Sequence, residues 1–513
     1  MQPQRGSGDE CVTNGSPLIF RRVFAAGLVL AVDAGRAEDL LPYPDDPFGT
    51  RDAVSGTPGR AANAAQAEDP CRIDRQKPMS WTLADVVDQA LCHHPDTRQT
   101  WANARFQATQ LGAAEASYLP SVNLSVPISR SQNTAGSGFS NSIPVSGSGI
   151  GISPRQTEIT RIASTLSVNY LVFDFGGRAA RVETARRTLE AANWSHAAAL
   201  QTVLFAAVEA YYQWFASTSA LEAAEASQRS SEEALKAAAY RYEVGAAALA
   251  DKLQAQTAYA QAKVNRQTAA GNARIALGSL ATVMGLTPTG SLRIEPPASA
   301  GPNEQRERDV QALIDEAKAL RPDLAAAEAQ IRSAEAGVQS ARSGSLPTLS
   351  LIGNYTFEER VGLQSISSWM VGVQISVPVF TGFANTYQIR GAEEQVALQA
   401  ASRDKLSQAI ALDVWRAFFN LKTARETLRS TEDLLASATQ AEQVALGRYK
   451  AGAGNIVELM NSEASLASAR FQRVQAHYNW RIGQAKLAQA VGRLDVDEAV
   501  AGAGPRGRSG AAE

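Results

Sequence analysis

The residues best suited to metal chemistry lie in one short run, CHHPD, at positions 92–96. A thiolate and two imidazoles are good ligands for zinc or a related transition metal. Adjacent residues of a helix point in different directions, however, so these three side chains would not converge on one ion. The remaining histidines, His196 and His477, are distant in sequence. We therefore predict no metal site.

Two glycine-containing stretches resemble nucleotide-handling motifs only in part. The run DFGG at 174–177 contains the Asp-Phe-Gly triplet of protein kinases, but no His-Arg-Asp segment accompanies it. The stretch 136–151 is rich in glycine and lacks the lysine of a phosphate-binding loop. We predict that the chain is not an enzyme and binds no cofactor, and that Asp174 caps a helix after a strand.

Carboxylates occur at two related turns. The stretches RYEVGAAALAD (241–251) and RYKAGAGNIVE (448–458) both open Arg-Tyr-x-x-Gly, continue through small residues and reach an acidic residue. They are 207 positions apart, and the same offset relates AYYQ at 210–213 to AFFN at 417–420. Self-similarity at a fixed offset predicts a duplicated architecture.

Further upstream the offset grows to 227, as HPD at 94–96 and RPD at 321–323 show. The first copy therefore contains 20 additional residues, which fall between Pro120 and Phe173. This region includes SQNTAGSGFSNSIPVSGSGIGISPRQ (131–156), whose Gly/Ser-rich composition predicts a loop.

Each copy is predicted to contain a helix, a hairpin of two strands and a pair of helices. The strands are predicted from period-2 alternation in four segments: 121–128, 165–173, 348–357 and 369–380. Each has roughly the 9–11 residues that a tilted strand needs to cross a bilayer. A half-buried sheet of a soluble protein shows the same alternation. Four strands cannot close a water-filled barrel, so a barrel would require several chains.

Two long runs without proline, 177–239 and 384–446, predict the helices. A helix of this length would extend about 95 Å at 1.5 Å per residue. Such helices need lateral partners along their length, as in coiled coils. Gly245 and Gly452 are suited to the left-handed position that ends a helix, so the chain would turn back at both.

The N-terminal region has the pattern of an export signal. Two arginines precede the apolar run Val23–Val32, and small residues follow it, which predicts a signal peptide over 1–37. Cys11 precedes that run and so is not placed for lipid attachment directly after it. Cys71 and Cys92 could pair in an oxidising compartment or remain unpaired. The net charge of −2 does not favour nucleic acid as a partner.

The predicted organisation of the chain has six segments. It comprises a signal peptide (1–37), an irregular segment (38–80), the first repeat (81–286), a linker (287–309), the second repeat (310–494) and a flexible tail (495–513).

In combination these features resemble the TolC-type outer-membrane efflux family. The resemblance covers about Trp81 to Leu494 and rests on the duplicated strand and helix hairpins, the Leu-Pro pairs at the strand entries and the two Arg-Tyr-x-x-Gly turns. It implies an α+β membrane protein: a homotrimer with four strands per protomer in a twelve-stranded outer-membrane β-barrel, continued by a periplasmic α-helical coiled-coil barrel. It also implies contact with outer-membrane lipid, a periplasmic adaptor protein and an inner-membrane transporter.

The resemblance gives the two turns a role at the end farthest from the membrane. The adaptor-docking tips would be formed by Arg241, Tyr242, Gly245, Arg448, Tyr449 and Gly452. The channel entrance would contain Asp251, Glu458 and Asn461. Rings of carboxylates there would attract cations and repel one another.

Two observations qualify these site residues. Asn455 and Glu458 have the spacing of a capping box, which leaves open a purely structural role for Glu458. Asp251 has Ala248 at the corresponding position and lacks such a partner. In addition, a second acidic residue and a gating arginine of well-known family members are replaced here by Asn461 and Gly454.

The function implied is passive export from an inner-membrane transporter to the exterior. Protein export by type I secretion, with an ABC-type transporter, is favoured because no cysteine directly follows the apolar run, unlike in the lipoprotein-type drug-efflux branch. A small-molecule or drug pump is the alternative, and a periplasmic coiled-coil scaffold without a pore is a further one.

Overall fold

The computed structural model describes residues 46–54, 80–134, 156–288, 292–296, 309–360 and 364–494. The chain divides into two units, Met1–Gly49 and Thr50–Glu513. Of the first unit the structure describes only a turn at residues 46–49, and the described helices and strands belong to the second unit. The predicted signal peptide, Cys71, most of the Gly/Ser-rich segment and the C-terminal tail lie outside the described residues.

The two halves of the chain repeat one order of elements. The first half contains α1 (Leu83–His93), α2 (Pro95–Glu115), β1 (Ser121–Ser125), β2 (Ile128–Thr134), β3 (Gln156–Phe173), α3 (Gly177–Glu243) and α4 (Leu249–Val283). The second half contains α5 (Val310–Leu320), α6 (Pro322–Ser343), β4 (Thr348–Arg360), β5 (Ile366–Ser376), α7 (Ala384–Lys450) and α8 (Ile456–Val491).

The prediction of a single helix before each strand hairpin was wrong. The chain forms two consecutive helices there, and the second begins at Pro95 in one copy and at Pro322 in the other. Proline has no N–H to donate within a helix and suits its first position, so it separates the two helices. His94 caps the second helix by accepting a hydrogen bond from the Asp96 N–H.

The strands form one antiparallel sheet in the order β1-β3-β4-β5, with β2 also paired to β3. The single strand predicted over 121–128 is divided into β1 and β2 at Pro127, which cannot donate to the ladder. The two pieces lie along the same neighbour, so the sheet has four strand positions. The predicted strand 165–173 was too short, because β3 has 18 residues. Residues 131–134 belong to β2 rather than to the predicted loop.

One face of the sheet is apolar and exposed in the isolated chain. The register places Leu124, Leu166, Tyr355 and Trp369 in one row across the four strand positions. Their exposed fractions are 69, 40, 48 and 78%. An apolar face of this extent marks a surface that contacts something other than water.

The helical part consists of two long antiparallel hairpins. α3 and α7 have 67 residues each, which corresponds to about 100 Å at 1.5 Å per residue. α3 packs against its own partner α4 and also against α8, so the two hairpins lie side by side. Their contacts include an apolar cluster around Val208, Tyr211 and Met284 and a second one near the turns, around Tyr449 and Leu459.

Among the described residues, none of the helices is both long enough and apolar enough to cross a membrane.

The segment between the halves and the cysteines can be placed in part. Ile294 forms a parallel bridge with Trp81, and the Glu295 carbonyl accepts a hydrogen bond from the Tyr211 hydroxyl at 2.6 Å. Part of the predicted linker is therefore packed against the first repeat. Cys92 is disulfide-bonded, and its partner lies outside the described residues.

Candidate functional site: the two helical-hairpin tips

The two tips share one backbone turn. Gly245 and Gly452 have φ angles of +73° and +77°, the left-handed conformation predicted for them. The Gly245 N–H donates to the Tyr242 carbonyl at 3.0 Å, and the Gly452 N–H donates to the Tyr449 carbonyl at 3.1 Å. Both long helices therefore end in the same way, about 100 Å from the sheet.

Gly454 lies against the turn that precedes it. Its N–H donates to the Arg448 carbonyl at 3.0 Å. A Cβ atom at this position would lie 3.0 Å from the Tyr449 nitrogen and 3.1 Å from the Arg448 carbonyl carbon. A residue with a side chain would have to displace this backbone. The close approach therefore explains why glycine occupies this position.

Tyr449 is buried where the two hairpins meet. Only 1% of it is exposed, and it packs with the small residues Ala234, Ala238 and Ala255 of the first hairpin. The Arg241 guanidinium lies 4.7 Å from the centre of the Tyr449 ring. Its Nη1 also donates to the Tyr449 carbonyl at 2.6 Å. Arg241 therefore joins the tip of the first hairpin to the tip of the second.

The phenol of Tyr449 is in an apolar environment. Its hydroxyl oxygen is buried and has no hydrogen-bond partner among the described residues. Burial raises the pKa of this phenol above its usual value, the nearby Arg241 opposes that rise, and Asp251 adds to it. Asp251, which is half-buried, therefore lies in the electrostatic environment of Tyr449.

The repeat-related residues Tyr242 and Arg448 have different surroundings. Tyr242 is 39% exposed, and the Lys252 Nζ lies 5.2 Å from its ring centre. Arg448 forms an ion pair with Glu458, with Nη1 and Oε1 separated by 2.6 Å. Two tips with similar sequences therefore use their Arg-Tyr pairs differently.

The capping-box alternative for Glu458 is wrong in part. Asn455 is the N-cap, and its side chain accepts a hydrogen bond from the Val457 N–H. The Glu458 carboxylate pairs with Arg448 instead of returning to the Asn455 backbone. Its side chain is 44% exposed, and Asn461, one turn later, is also exposed.

Three residues near the tips were missed by the sequence reasoning. Glu442 and Glu463 are buried beside Ser230, two to three helical turns from the ends of the hairpins. The available signal was spacing, because both glutamates continue the three- and four-residue alternation of buried positions on α7 and α8.

The sequence matches a family model described as outer membrane efflux protein, over residues 86–286 and 313–493. The chain belongs to the outer membrane efflux protein family. It is 30% identical to Protein CyaE of Bordetella pertussis over 474 residues, which cover 91% of this chain and 94% of that protein. It is 25% identical to the pyoverdine export outer membrane protein OpmQ of Pseudomonas aeruginosa over 77% of this chain and 81% of that protein.

The fold matches solved structures of outer-membrane channels. The Campylobacter jejuni CmeC outer membrane channel superposes with a TM-score of 0.68 at 17% sequence identity. The superposition covers 86% of this chain and 97% of that channel. This chain is thus a TolC-type channel component of the bacterial outer membrane, with a large helical portion in the periplasm. Channels of the family form trimers and work with a periplasmic adaptor and an inner-membrane transporter.

Proposed function

We propose that this protein is the outer-membrane channel of a type I secretion machine and that its cargo is protein. The observation that carries this proposal is the match to Protein CyaE, which extends over nearly the whole of both chains. The match to a protein named for the export of the small molecule pyoverdine is weaker and shorter. The first cysteine after the apolar run Val23–Val32 is Cys71, which also favours the branch without a lipid-modified cysteine directly after that run.

In this proposal three protomers complete the barrel. Each would contribute four strand positions, and the exposed apolar row through Leu124 and Trp369 would face lipid. The long helices would line the periplasmic tunnel. Energy would come from an ABC-type transporter, because passage through the channel itself is passive.

The tips would form the periplasmic mouth and the docking surface for the adaptor. Tyr242 is exposed enough to contact an adaptor directly, and Gly245 and Gly452 shape the turns. Tyr449 and Arg241 would act from within by holding the two tips together. At the entrance, Glu458 and Asn461 would be accessible to passing ions, and Asp251 would lie deeper, beside Tyr449.

Complementation distinguishes the two cargo classes. The full chain would be expressed with an adaptor and ABC transporter of a type I system, in a Gram-negative host that lacks its own channels of this family. We expect the transported protein to appear in the medium. The same host, supplied instead with a drug-pump adaptor and transporter, should remain sensitive to the drugs.

Restored drug resistance without protein in the medium would establish the small-molecule alternative instead. A chain altered at both exposed tip residues, Tyr242→Ala with Arg448→Ala, should insert in the membrane but export less. This variant separates failure of adaptor docking from failure of assembly.

A further inference from the structure

Near the tips, α3, α7 and α8 meet along a seam with the spacing of a coiled coil. On α7 the seam positions alternate at three and four residues: Leu428, Thr431, Leu435, Ala438, Glu442, Ala445 and Tyr449. On α8 they are Ile456, Leu459, Glu463 and Leu466. Glu442 and Glu463 are thus the two ionisable carboxylates at positions that a coiled coil normally fills with apolar side chains.

The two carboxylates converge on a single hydroxyl. Glu442 and Glu463 are 9% and 8% exposed. One carboxylate oxygen of Glu442 lies 3.4 Å from the Ser230 Oγ, and one of Glu463 lies 3.3 Å from the same atom. A hydroxyl has one proton to donate, so it can serve only one of the two acceptors. Two like charges buried side by side, with neutral hydroxyl groups as donors, would be a costly arrangement.

The charges around Glu463 increase this cost. Burial raises the pKa of Glu463 to about 7, and the negative charges of Glu442 on α7 and Glu233 on α3 act in the same direction. Hydrogen bonds from the Ser230 and Ser231 hydroxyls oppose the rise in pKa, but these hydroxyls carry no charge that would neutralise the glutamates. Lys236, further along α3, pairs with Glu232 instead.

We propose that Glu442 and Glu463 share one proton while the two hairpins are packed together, and that losing this proton loosens the hairpins near their tips. With the proton present, the pair carries one negative charge instead of two, and the Ser230 hydroxyl can donate to the remaining carboxylate. Without it, two like charges repel each other inside an apolar seam. The proton goes to solvent, and no other group is needed to accept it.

The direction of the pH effect is set by linkage. The packed seam binds the proton more tightly than a separated seam, in which a glutamate would titrate near its usual value of 4.5. The stabilisation is therefore complete below about pH 4.5 and is lost as the pH rises to about 7. This inference concerns packing within one chain and stands independently of the cargo.

Amide hydrogen exchange of the full-length protein in detergent tests the proposed shared proton. Protection factors, corrected for the intrinsic exchange rate, would be measured between pH 4.5 and 8.5 for peptides from the α3 and α8 sides of the seam. In the wild type we expect protection to fall by at least about tenfold between pH 5 and pH 8, because the packed state loses its bound proton. In Glu463→Gln the protection should no longer depend on pH.

Two further variants make the test specific. Glu442→Gln removes the like charge, so the transition should move to lower pH. Asp433→Asn changes an exposed carboxylate on the same helix and should behave like the wild type. The proposal is overturned if wild-type protection is equal at pH 5 and pH 8, or if Glu463→Gln keeps the transition. If Glu442→Gln leaves the transition where it was, Glu463 titrates alone and the shared proton is wrong. Glu442→Gln therefore tests the shared proton even if Glu463→Gln does not fold.

Discussion

At the scale of single residues, the two tips show how one repeated motif acquires two roles. Arg241 and Arg448 occupy the same place in the repeat, yet one binds the backbone and ring of Tyr449 across the hairpins and the other pairs with Glu458 within its own hairpin. The difference arises because the second hairpin's tyrosine is buried between the hairpins and the first hairpin's is not.

Replacing each arginine should therefore have unequal effects. We expect Arg241→Ala to destabilise the packing of the tips by about 1–2 kcal/mol, because it loses a charge-assisted hydrogen bond and a cation–π contact. Arg448→Ala should cost about 0.5 kcal/mol or less, because exposed ion pairs contribute little. Hydrogen exchange at the start of α8 measures both changes, and equal losses would contradict the assigned roles.

Gly454 and a second glycine of the same tip provide a matched pair. In Gly454→Ala the new methyl group would approach backbone atoms at 3.0 and 3.1 Å, so we expect a loss of about 1–3 kcal/mol. Gly447 lies within α7, and a methyl group added there would have no heavy atom within 4 Å, so Gly447→Ala should stabilise by about 0.5–1 kcal/mol. Thermal unfolding of the two variants should shift in opposite directions, and shifts of the same sign would be inconsistent with this geometry.

At the scale of elements, the α7–α8 hairpin depends on a few large side chains among many alanines. Trp480 is 2% exposed and packs with Leu428 and Ala476. Its indole nitrogen has no hydrogen-bond partner among the described residues. The indole nitrogen therefore adds no hydrogen bond, and the ring contributes through packing and through its contact with the Arg481 guanidinium, 5.0 Å from the ring centre.

Substitutions of Trp480 should reflect this. Trp480→Phe keeps an aromatic ring and loses no hydrogen bond, so we expect a cost below about 1.5 kcal/mol. Trp480→Ala leaves a cavity and should cost about 3–5 kcal/mol. Denaturant unfolding of the detergent-solubilised protein distinguishes the two, and similar costs would show that the indole nitrogen has a partner after all.

The elements also show which features could be predicted from sequence. Period-2 alternation placed the strands, and the absence of proline placed α3 and α7, because these signals are local. The break at Pro127 and the separate helices at Pro95 were missed even though proline marks both positions. The crossing of Arg241 to Tyr449 and the meeting of Glu442 with Glu463 could not be predicted, because they depend on how one hairpin lies against another.

At the scale of the whole molecule, the sheet and the helices differ in where their apolar side chains lie. The sheet exposes Val371, Val373 and Ile375 by 66–68%, whereas the helical hairpins bury apolar side chains such as Val208 and Leu459. In the proposed barrel the apolar face of the sheet would contact lipid, and the long helices would extend into water.

The strand β5 allows a matched test of this orientation. Val373→Arg places a charge on the apolar face and should cost about 2–4 kcal/mol if that residue lies near the middle of the bilayer. Gln374→Arg changes the adjacent residue, which points to the opposite face, and should be tolerated. The yield of heat-modifiable oligomer in outer-membrane fractions reports the difference. Equal yields would place both residues in water.

The length of the 18-residue strand β3 determines how far its end would extend beyond the outer membrane. At about 3.3 Å per residue and a tilt of about 45°, it would rise roughly 40 Å, whereas the apolar band of an outer-membrane barrel is about 25 Å tall. Its N-terminal end, near the Arg161–Glu358 ion pair, would then stand above the lipid. We expect this rim to be the part of the chain that antibodies and bacteriophages can reach on an intact cell.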